Sequence, residues 1–252
     1  MASTEWYKQW FNSPYYHKLY FERDEHEARK FIDRLLDHLQ PPEKSRVLDI
    51  ACGKGRHSRM LAAHGLDVTG FDISVDSINY ANQFSAENLH FYVHDMRLPF
   101  WVNYFDHAFN FFTSFGYFPS RREHDDAMRT IAYSLKPGGI VLFDYLNVHY
   151  AEDNLVQSEV KQIDGTNYEI VRWHDDKNFF KKITITDLHI AEPLSFTEVV
   201  AKLTLGDFSD MLSFQKLQVK EVFGDYNLQP YHSRNTPRMI IVAQKSSPVP
   251  VC

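Results

Sequence analysis

The sequence predicts an α/β fold: a doubly wound, mostly parallel seven-stranded sheet carrying an antiparallel β insertion before its last two strands. Three observations predict it. Short apolar runs alternate with helix-length amphipathic runs across residues 46–145, the signature of βαβ units and a parallel sheet. Glycine or proline marks several of the changeovers, as at Pro41-Pro42 and Gly65. Beyond residue 155, strand-like runs follow one another directly with turn residues between them, which predicts antiparallel pairing.

Taken in order, residues 5–20 are rich in aromatics, among them Trp6, Tyr7, Trp10, Phe11, Tyr15, Tyr16 and Tyr20. A helix is expected over 24–39, where Ala28, Phe31, Ile32, Leu35, Leu36 and Leu39 recur at helical spacing. Strands are then expected at 46–51, 66–72, 89–94, 105–112 and 140–145, with helices at 56–64, 74–84 and 124–135 between them. Lys136-Pro137-Gly138-Gly139 reads as the turn before the fifth strand. The insertion is expected as strands at 156–163, 167–173, 180–190 and 194–203. A short helix at 207–214 and strands at 217–223 and 238–244 return the chain to the main sheet. This divides the chain into an N-terminal helical cap (1–40), a cofactor-binding unit (41–150 and 204–246) and the insertion (151–203), a lid or dimer surface.

Composition narrows the function. A formal charge of −6 argues against a general nucleic-acid binder, which replaces phosphate counterions with Lys and Arg. Two cysteines, Cys52 and Cys252, lie far apart in sequence, so a disulfide framework is not expected and a reducing compartment is. No apolar run reaches the ~18 residues of a membrane span. A cytoplasmic protein without membrane or metal partners is expected.

The first strand runs into Asp49-Ile50-Ala51-Cys52-Gly53-Lys54-Gly55-Arg56-His57-Ser58. An apolar strand, a glycine turn and a helix start bring a nucleotide-like ligand onto backbone amides. Gly53 and Gly55 let the backbone come close, although a simple tight turn has the same residues. The dinucleotide fingerprint needs a third glycine where Ser58 stands; with Asp49 close by, the approach suits a ligand bearing an ammonium group rather than a pyrophosphate. His57 reads as a helix-surface or capping residue. Asp72, about twenty residues beyond Gly53, ends the second strand where an acidic side chain accepts from ribose hydroxyls; capping the helix from Ser74 is the plain alternative. Asp95-Met96 closes the third strand. Ligands in such sheets bind at the carboxyl edge, where these strand ends converge.

Residues 47–58, Gly70-Phe71-Asp72-Ile73-Ser74, Asp95-Met96 and Leu135-Lys136-Pro137-Gly138-Gly139 occur in the order of successive motifs in a known family. Over residues 45–145 the chain resembles the class I S-adenosylmethionine-dependent methyltransferases, with their Rossmann-like fold. The resemblance implies S-adenosylmethionine as cofactor. Ala51, Cys52, Gly53 and Gly55 would lie against its methionine part, Asp72 at the ribose, Asp95 and Met96 around the adenine, and Phe111 or Phe112 beside the sulfonium, with Ile73 also among the cofactor-binding residues. The opening segment looks like the N-terminal cap of the small-molecule N-methyltransferase branch. In that branch, tyrosines such as Tyr15 and Tyr20 close over the cofactor and an arginine, here Arg23, pairs with its carboxylate.

Methyl transfer is an in-line displacement at an already activated carbon, so the protein mainly aligns the acceptor and excludes water. Aromatic walls attract the sulfonium and a cationic acceptor alike, and 15% of this chain is aromatic. Tyr117, Tyr145, His149 and His232 are the candidates for a base; no spacing rule selects among them. The Asn/Asp-Pro-Pro-Tyr signature of methyltransferases acting on nucleobase or glutamine amino groups is absent, and Asn110-Phe111-Phe112-Thr113 stands there. A small-molecule acceptor is therefore expected, an amine ahead of a hydroxyl or carboxylate. A non-catalytic cofactor-binding scaffold of the same fold and an RNA methyltransferase are the alternatives. The insertion is also a surface on which two copies would pair as a homodimer.

Overall fold

A computed structural model describes residues 6–20 and 25–247. Seven strands form one sheet in the order β10-β11-β5-β4-β1-β2-β3. The central strand β1 (Arg46–Ile50) pairs in parallel with β2 (Asp67–Asp72) on one side and β4 (Phe105–Asn110) on the other. β3 (Leu89–Val93) extends the sheet beyond β2, and β5 (Leu135–Leu146) beyond β4, again in parallel. β11 (Arg238–Lys245) then lies antiparallel between β5 and β10 (Leu217–Phe223). The chain thus leaves β1 first toward β2 and β3, then returns to the other side for β4. That reversal is the switch point at which such sheets open a crevice.

The strands are covered on both faces. Val47 and Val68 join α3 (Glu25–Leu39), α4 (Arg56–Ala63) and α5 (Val75–Ala81) in one core, through Phe31, Leu35, Leu61 and Ile78. Leu48 and Ile50 point the other way, toward α6 (Arg121–Ser134) and α8 (Leu205–Phe214), through Met128, Ile131, Phe208 and Leu212. Alternate side chains of one strand therefore serve two cores, and a strand buried on both faces reads as an unbroken apolar run.

Four further strands, β6 (Ser158–Ile163), β7 (Thr166–His174), β8 (Asn178–Thr186) and β9 (Leu194–Ala201), make a separate antiparallel sheet. Its inner face carries Tyr168, Ile170, Ile183 and Ile185, and the opening segment covers it with Trp10 and Leu19. That segment is a pair of short helices, α1 (Trp6–Phe11) and α2 (Pro14–Leu19), the second capped by Ser13. Among the described residues no helix is long and apolar enough to cross a membrane.

Four local differences from the sequence reading have physical reasons. Residues 136–139 do not form a separate turn: β5 starts at Leu135, opposite Phe105, and its register jumps so that His107 faces Ile140. The loop is held by Lys136 Nζ on Asp106 at 2.6 Å. β8 stops at Thr186 rather than running to 190, because the next carboxylate, Asp187, accepts from the Thr166 hydroxyl and the His189 amide. Ser74, not Asp72, caps α5, accepting from the Ser77 amide. A helix after β5, α7 (Val148–Asp153), was not expected; it is anchored by buried Asn147, which donates to the His232 and Thr236 carbonyls.

Candidate active site

A cavity of about 350 Å³ opens at the carboxyl ends of β1, β2 and β3 and beneath α1 and α2. β1 delivers Ala51, Cys52, Gly53 and Lys54; β2 delivers Asp72 and Ile73; β3 is followed by Asp95 and Met96; the loop after β4 brings Phe112, Ser114 and Tyr117. Across from them stand Tyr7, Phe11, Tyr16, His17 and Tyr20 of the opening helices, and Glu198 of β9.

The turn after β1 requires its glycines. Gly53 (φ +56°) and Gly55 (φ +75°) are left-handed, and so is Ala51 (φ 58°). A methyl group on Gly55 would meet the Phe91 ring at 2.6 Å, so Gly55 packs against β3 and is not a lining residue. Asp72 closes the turn: Oδ2 accepts from the Gly53 amide at 2.9 Å and Oδ1 from the Ser74 amide at 2.8 Å. Burial raises the pKa of this carboxyl, while the amides oppose the shift. Each oxygen retains a second lone pair for a ligand hydroxyl. Asp95 is held differently, by Arg97, whose Nη2 reaches it at 2.6 Å and whose Nη1 bonds Glu123 at 2.7 Å.

The loop after β4 is wound unusually. Phe112 (φ 55°) and Thr113 (φ 58°) are consecutive left-handed residues, a costly conformation that persists where its surroundings over-determine it. Asp144, fully buried in β5, does so. Its carboxylate accepts from the Phe112 amide at 2.8 Å and its carbonyl from the Thr113 amide at 2.8 Å. Arg238 ties the arrangement together, donating to Asp144 Oδ1 at 2.7 Å and Thr113 Oγ1 at 3.0 Å. The Phe112 ring is thereby stacked on His57, centroids 5.0 Å apart.

Of the residues singled out from sequence, Tyr20, Ala51, Cys52, Gly53, Asp72, Ile73, Asp95, Met96, Phe112 and Tyr117 come together around this cavity. Phe111 does not: it is buried in the core against Phe31, His57 and Phe109. Tyr15 packs toward the insertion, where its carbonyl accepts from the Tyr168 hydroxyl at 3.2 Å. Arg23 lies outside the described residues; Lys54, Arg56 and Arg59 are cationic groups among the lining residues. Asp49 is 1% exposed and bonded to the Ser58 hydroxyl at 2.5 Å, away from the lining. That bond gives Ser58, the residue in place of a third glycine, an internal role. His57 is buried, not on the helix surface.

The base candidates separate equally clearly. Tyr145 is wholly buried, its hydroxyl donates to the Ala201 carbonyl at 2.5 Å, and burial pushes its ionisation far up. His149 sits on α7 beside Glu152 at 3.5 Å, and His232 in an exposed turn. Tyr117 alone of the four lines the cavity, edge-on to Phe11 at 5.5 Å. The Cys52 thiol is driven well above its ordinary pKa by burial, which keeps it a protonated wall atom rather than a nucleophile.

Among the lining residues that the sequence does not single out, His17 and Glu198 carry titratable groups with unusual surroundings. His17 has a buried Nε2 without a hydrogen-bond partner among the described residues, and burial, with the Lys54 cation, lowers its pKa to about 4. Glu198 is 9% exposed and accepts from Trp10 Nε1 at 2.7 Å and from the Tyr20 hydroxyl at 2.9 Å. Its signal was present: a lone acid at the middle of the alternating set Phe196, Glu198, Val200.

The comparisons with known proteins agree with this geometry. The model of the methyltransferase domain family matches residues 20–189, more than half of the chain. The chain is 36% identical over 106 residues to YqeM of Bacillus subtilis, named as a methyltransferase, covering 41% of this chain and 43% of that one. It is 29% identical over 126 residues to the dTDP-3-amino-3,4,6-trideoxy-alpha-D-glucopyranose N,N-dimethyltransferase of Streptomyces venezuelae, covering 49% and 52%. The match thus spans about half the length of these curated relatives. A solved structure of an S-adenosylmethionine-dependent methyltransferase from Clostridium acetobutylicum superposes with a TM-score of 0.77 at 16% identity, covering 92% of this chain and 96% of that one. The chain belongs to the methyltransferase domain family, of the S-adenosylmethionine-dependent class.

Proposed function

We propose that this chain transfers the methyl group of S-adenosylmethionine to the nitrogen of a small-molecule amine. The observation that carries the reading is the cavity shared by three strand ends at the switch point, with amides and carboxylates along one wall and aromatic rings along the other. The donor set fits the cofactor. The glycine turn offers close backbone approach to the methionine portion, Asp72 keeps lone pairs for ribose hydroxyls, Asp95 and Met96 pair an acceptor with an apolar face for adenine, and Phe112 offers a ring to the sulfonium. When bound, the cofactor supplies its methyl carbon to the acceptor's lone pair while the C–S electron pair returns to sulfur, and the methylated nitrogen releases its proton to water.

The protein's part is alignment and water exclusion. Rings of Phe11, Tyr16 and Tyr117 wall the space where an acceptor would lie. A sugar-amine dimethyltransferase among the relatives supports an amine as acceptor. The outer face of the insertion, with Val160, Val171 and Trp173 exposed, supports its assignment as a dimer surface; light scattering that reads the mass of one chain would remove that assignment.

Titration calorimetry is expected to give a dissociation constant for S-adenosylmethionine of roughly micromolar order, within the range of enzyme substrates. A silent titration at millimolar cofactor would end the proposal. Transfer of a radiolabelled methyl group across amine and hydroxyl metabolites then identifies the acceptor.

A further inference from the structure

The geometry points to Glu198 as the residue that selects the acceptor, by binding its nitrogen in the ammonium form. The inference rests on the reading of the cavity as a methyl-transfer site and goes beyond it by naming the group that recognises the acceptor.

A buried carboxylate is costly unless donors surround it. At Glu198 the two oxygens are served unequally. Oε1 accepts from Trp10 Nε1 at 2.7 Å and from the Tyr20 hydroxyl at 2.9 Å. Oε2 has the Lys181 ammonium at 3.7 Å, beyond the 2.7–3.2 Å of an N–H···O bond. Lys181 is directed instead at Tyr20, donating to its hydroxyl and lying over its ring at 4.6 Å. Among the described residues no donor stands within hydrogen-bond distance of Oε2, yet Glu198 lines the cavity. A cationic N–H from a ligand completes it.

The carboxylate and the aromatic rings around it favour a cation over a neutral donor, with the Lys181 ammonium at 3.7 Å working against it. Trp10 and Tyr20, which hold Oε1, both pack on Tyr16, at 5.4 and 4.8 Å, and Tyr16 packs on Phe11 at 5.0 Å. A hydroxyl placed there gains one hydrogen bond. An ammonium gains a charge-assisted bond of about twice the strength and the attraction of the ring faces as well. Loss of one ammonium proton to water then frees the lone pair for transfer, while a remaining N–H stays on Glu198.

The test uses benzylammonium chloride and benzyl alcohol as matched probes on the full chain saturated with S-adenosylhomocysteine, read by calorimetry at neutral pH. Benzylammonium is expected to bind about tenfold tighter than the alcohol or better. Glu198→Gln, which keeps an oxygen for Trp10 and Tyr20, is expected to abolish that preference while S-adenosylmethionine binds within about twofold of wild type. Lys181→Met, which removes the neighbouring cation, is expected to tighten benzylammonium binding and so tests the inference independently if the first variant does not fold. Equal binding of the two probes, no binding of either, or a preference that survives Glu198→Gln would overturn the role of Glu198. Loss of cofactor binding by the wild-type chain would instead overturn the reading of the site.

Discussion

Asp72 and Asp49 are both carboxylates of the first two strands, and their environments divide their roles. Asp72 faces the cavity with both oxygens partly engaged by backbone amides. Asp72→Ala is expected to weaken S-adenosylmethionine by about 1–3 kcal/mol, measured by calorimetry; an unchanged affinity would free Asp72 of the ribose role. Asp49 is internal, and burial raises its pKa to about 7 against the pull of the Ser58 hydrogen bond. A carboxyl whose folded pKa lies above its unfolded value binds its proton more tightly when folded. Its contribution is therefore greatest below about pH 4, declines as pH rises toward 7, and is flat above that. Asp49→Asn removes this titration, so the variant's melting temperature relative to wild type should rise between pH 5 and pH 8. A gap that is constant or moves the other way would contradict the assignment. The sequence reading gives Asp72 the ribose and takes Asp49 as part of the approach to a ligand ammonium, and it could not show that Asp49 is internal. Asp49 lies in a strand buried on both faces, where alternation leaves no polar side to read, and its partner Ser58 is nine residues away on α4.

At the scale of elements, the strands of the main sheet were legible as short apolar runs and its long helices by their periodicity, with glycine or proline at several of the changeovers. The short helices α1, α2 and α7, six residues each, were not. Six residues are too few to nucleate a helix on local preference, and these three exist through contacts made far along the chain. Lys18, for example, holds α2 by donating to the Asp164 carbonyl at 2.9 Å and the Thr166 hydroxyl at 2.8 Å. Lys18→Ala is expected to release about 1 kcal/mol of that docking, seen as faster amide hydrogen exchange in α2 with β1 unaffected; uniform protection would show that the bonds are idle. The glycine turn is the opposite case, legible and sterically strict. Gly55→Ala is expected to lower stability by at least about 1 kcal/mol, or about 2–4 °C in melting temperature for a chain of this size, because the new methyl meets Phe91 and the backbone is left-handed. A variant melting with wild type would show that β3 moves aside without cost.

Across the whole molecule, the wall of the cavity built by β1, β2 and β3 could be read in order from the sequence, since those three strand ends lie within fifty residues of one another. The opposite wall could not, because it joins α1 and α2 to β9 across nearly two hundred residues, as in the bond from Trp10 to Glu198. A ligand held between both walls stabilises them together. At a concentration one hundred times its dissociation constant, S-adenosylmethionine should add about 2.7 kcal/mol and raise the melting temperature by about 5–10 °C. A thermal scan showing no shift would mean that the cofactor does not engage the folded chain.

The seam between β9 and the main sheet limits how such a molecule admits its reactants. The Ala201 amide donates to the Gly116 carbonyl at 2.8 Å and the Ala201 carbonyl accepts from Tyr145 at 2.5 Å, so the end of the insertion is stitched to the segment that carries Tyr117. The insertion is no free flap; swinging it outward would drag Tyr117 along. The α1–α2 pair is fastened by side-chain bonds, such as Lys18 to Thr166 and Ser74 to Asn12 at 2.7 Å. Held through side chains rather than a backbone stitch, these two helices are the part of the enclosure expected to open most readily; amide exchange in α1 and α2 no faster than in β9 would contradict this.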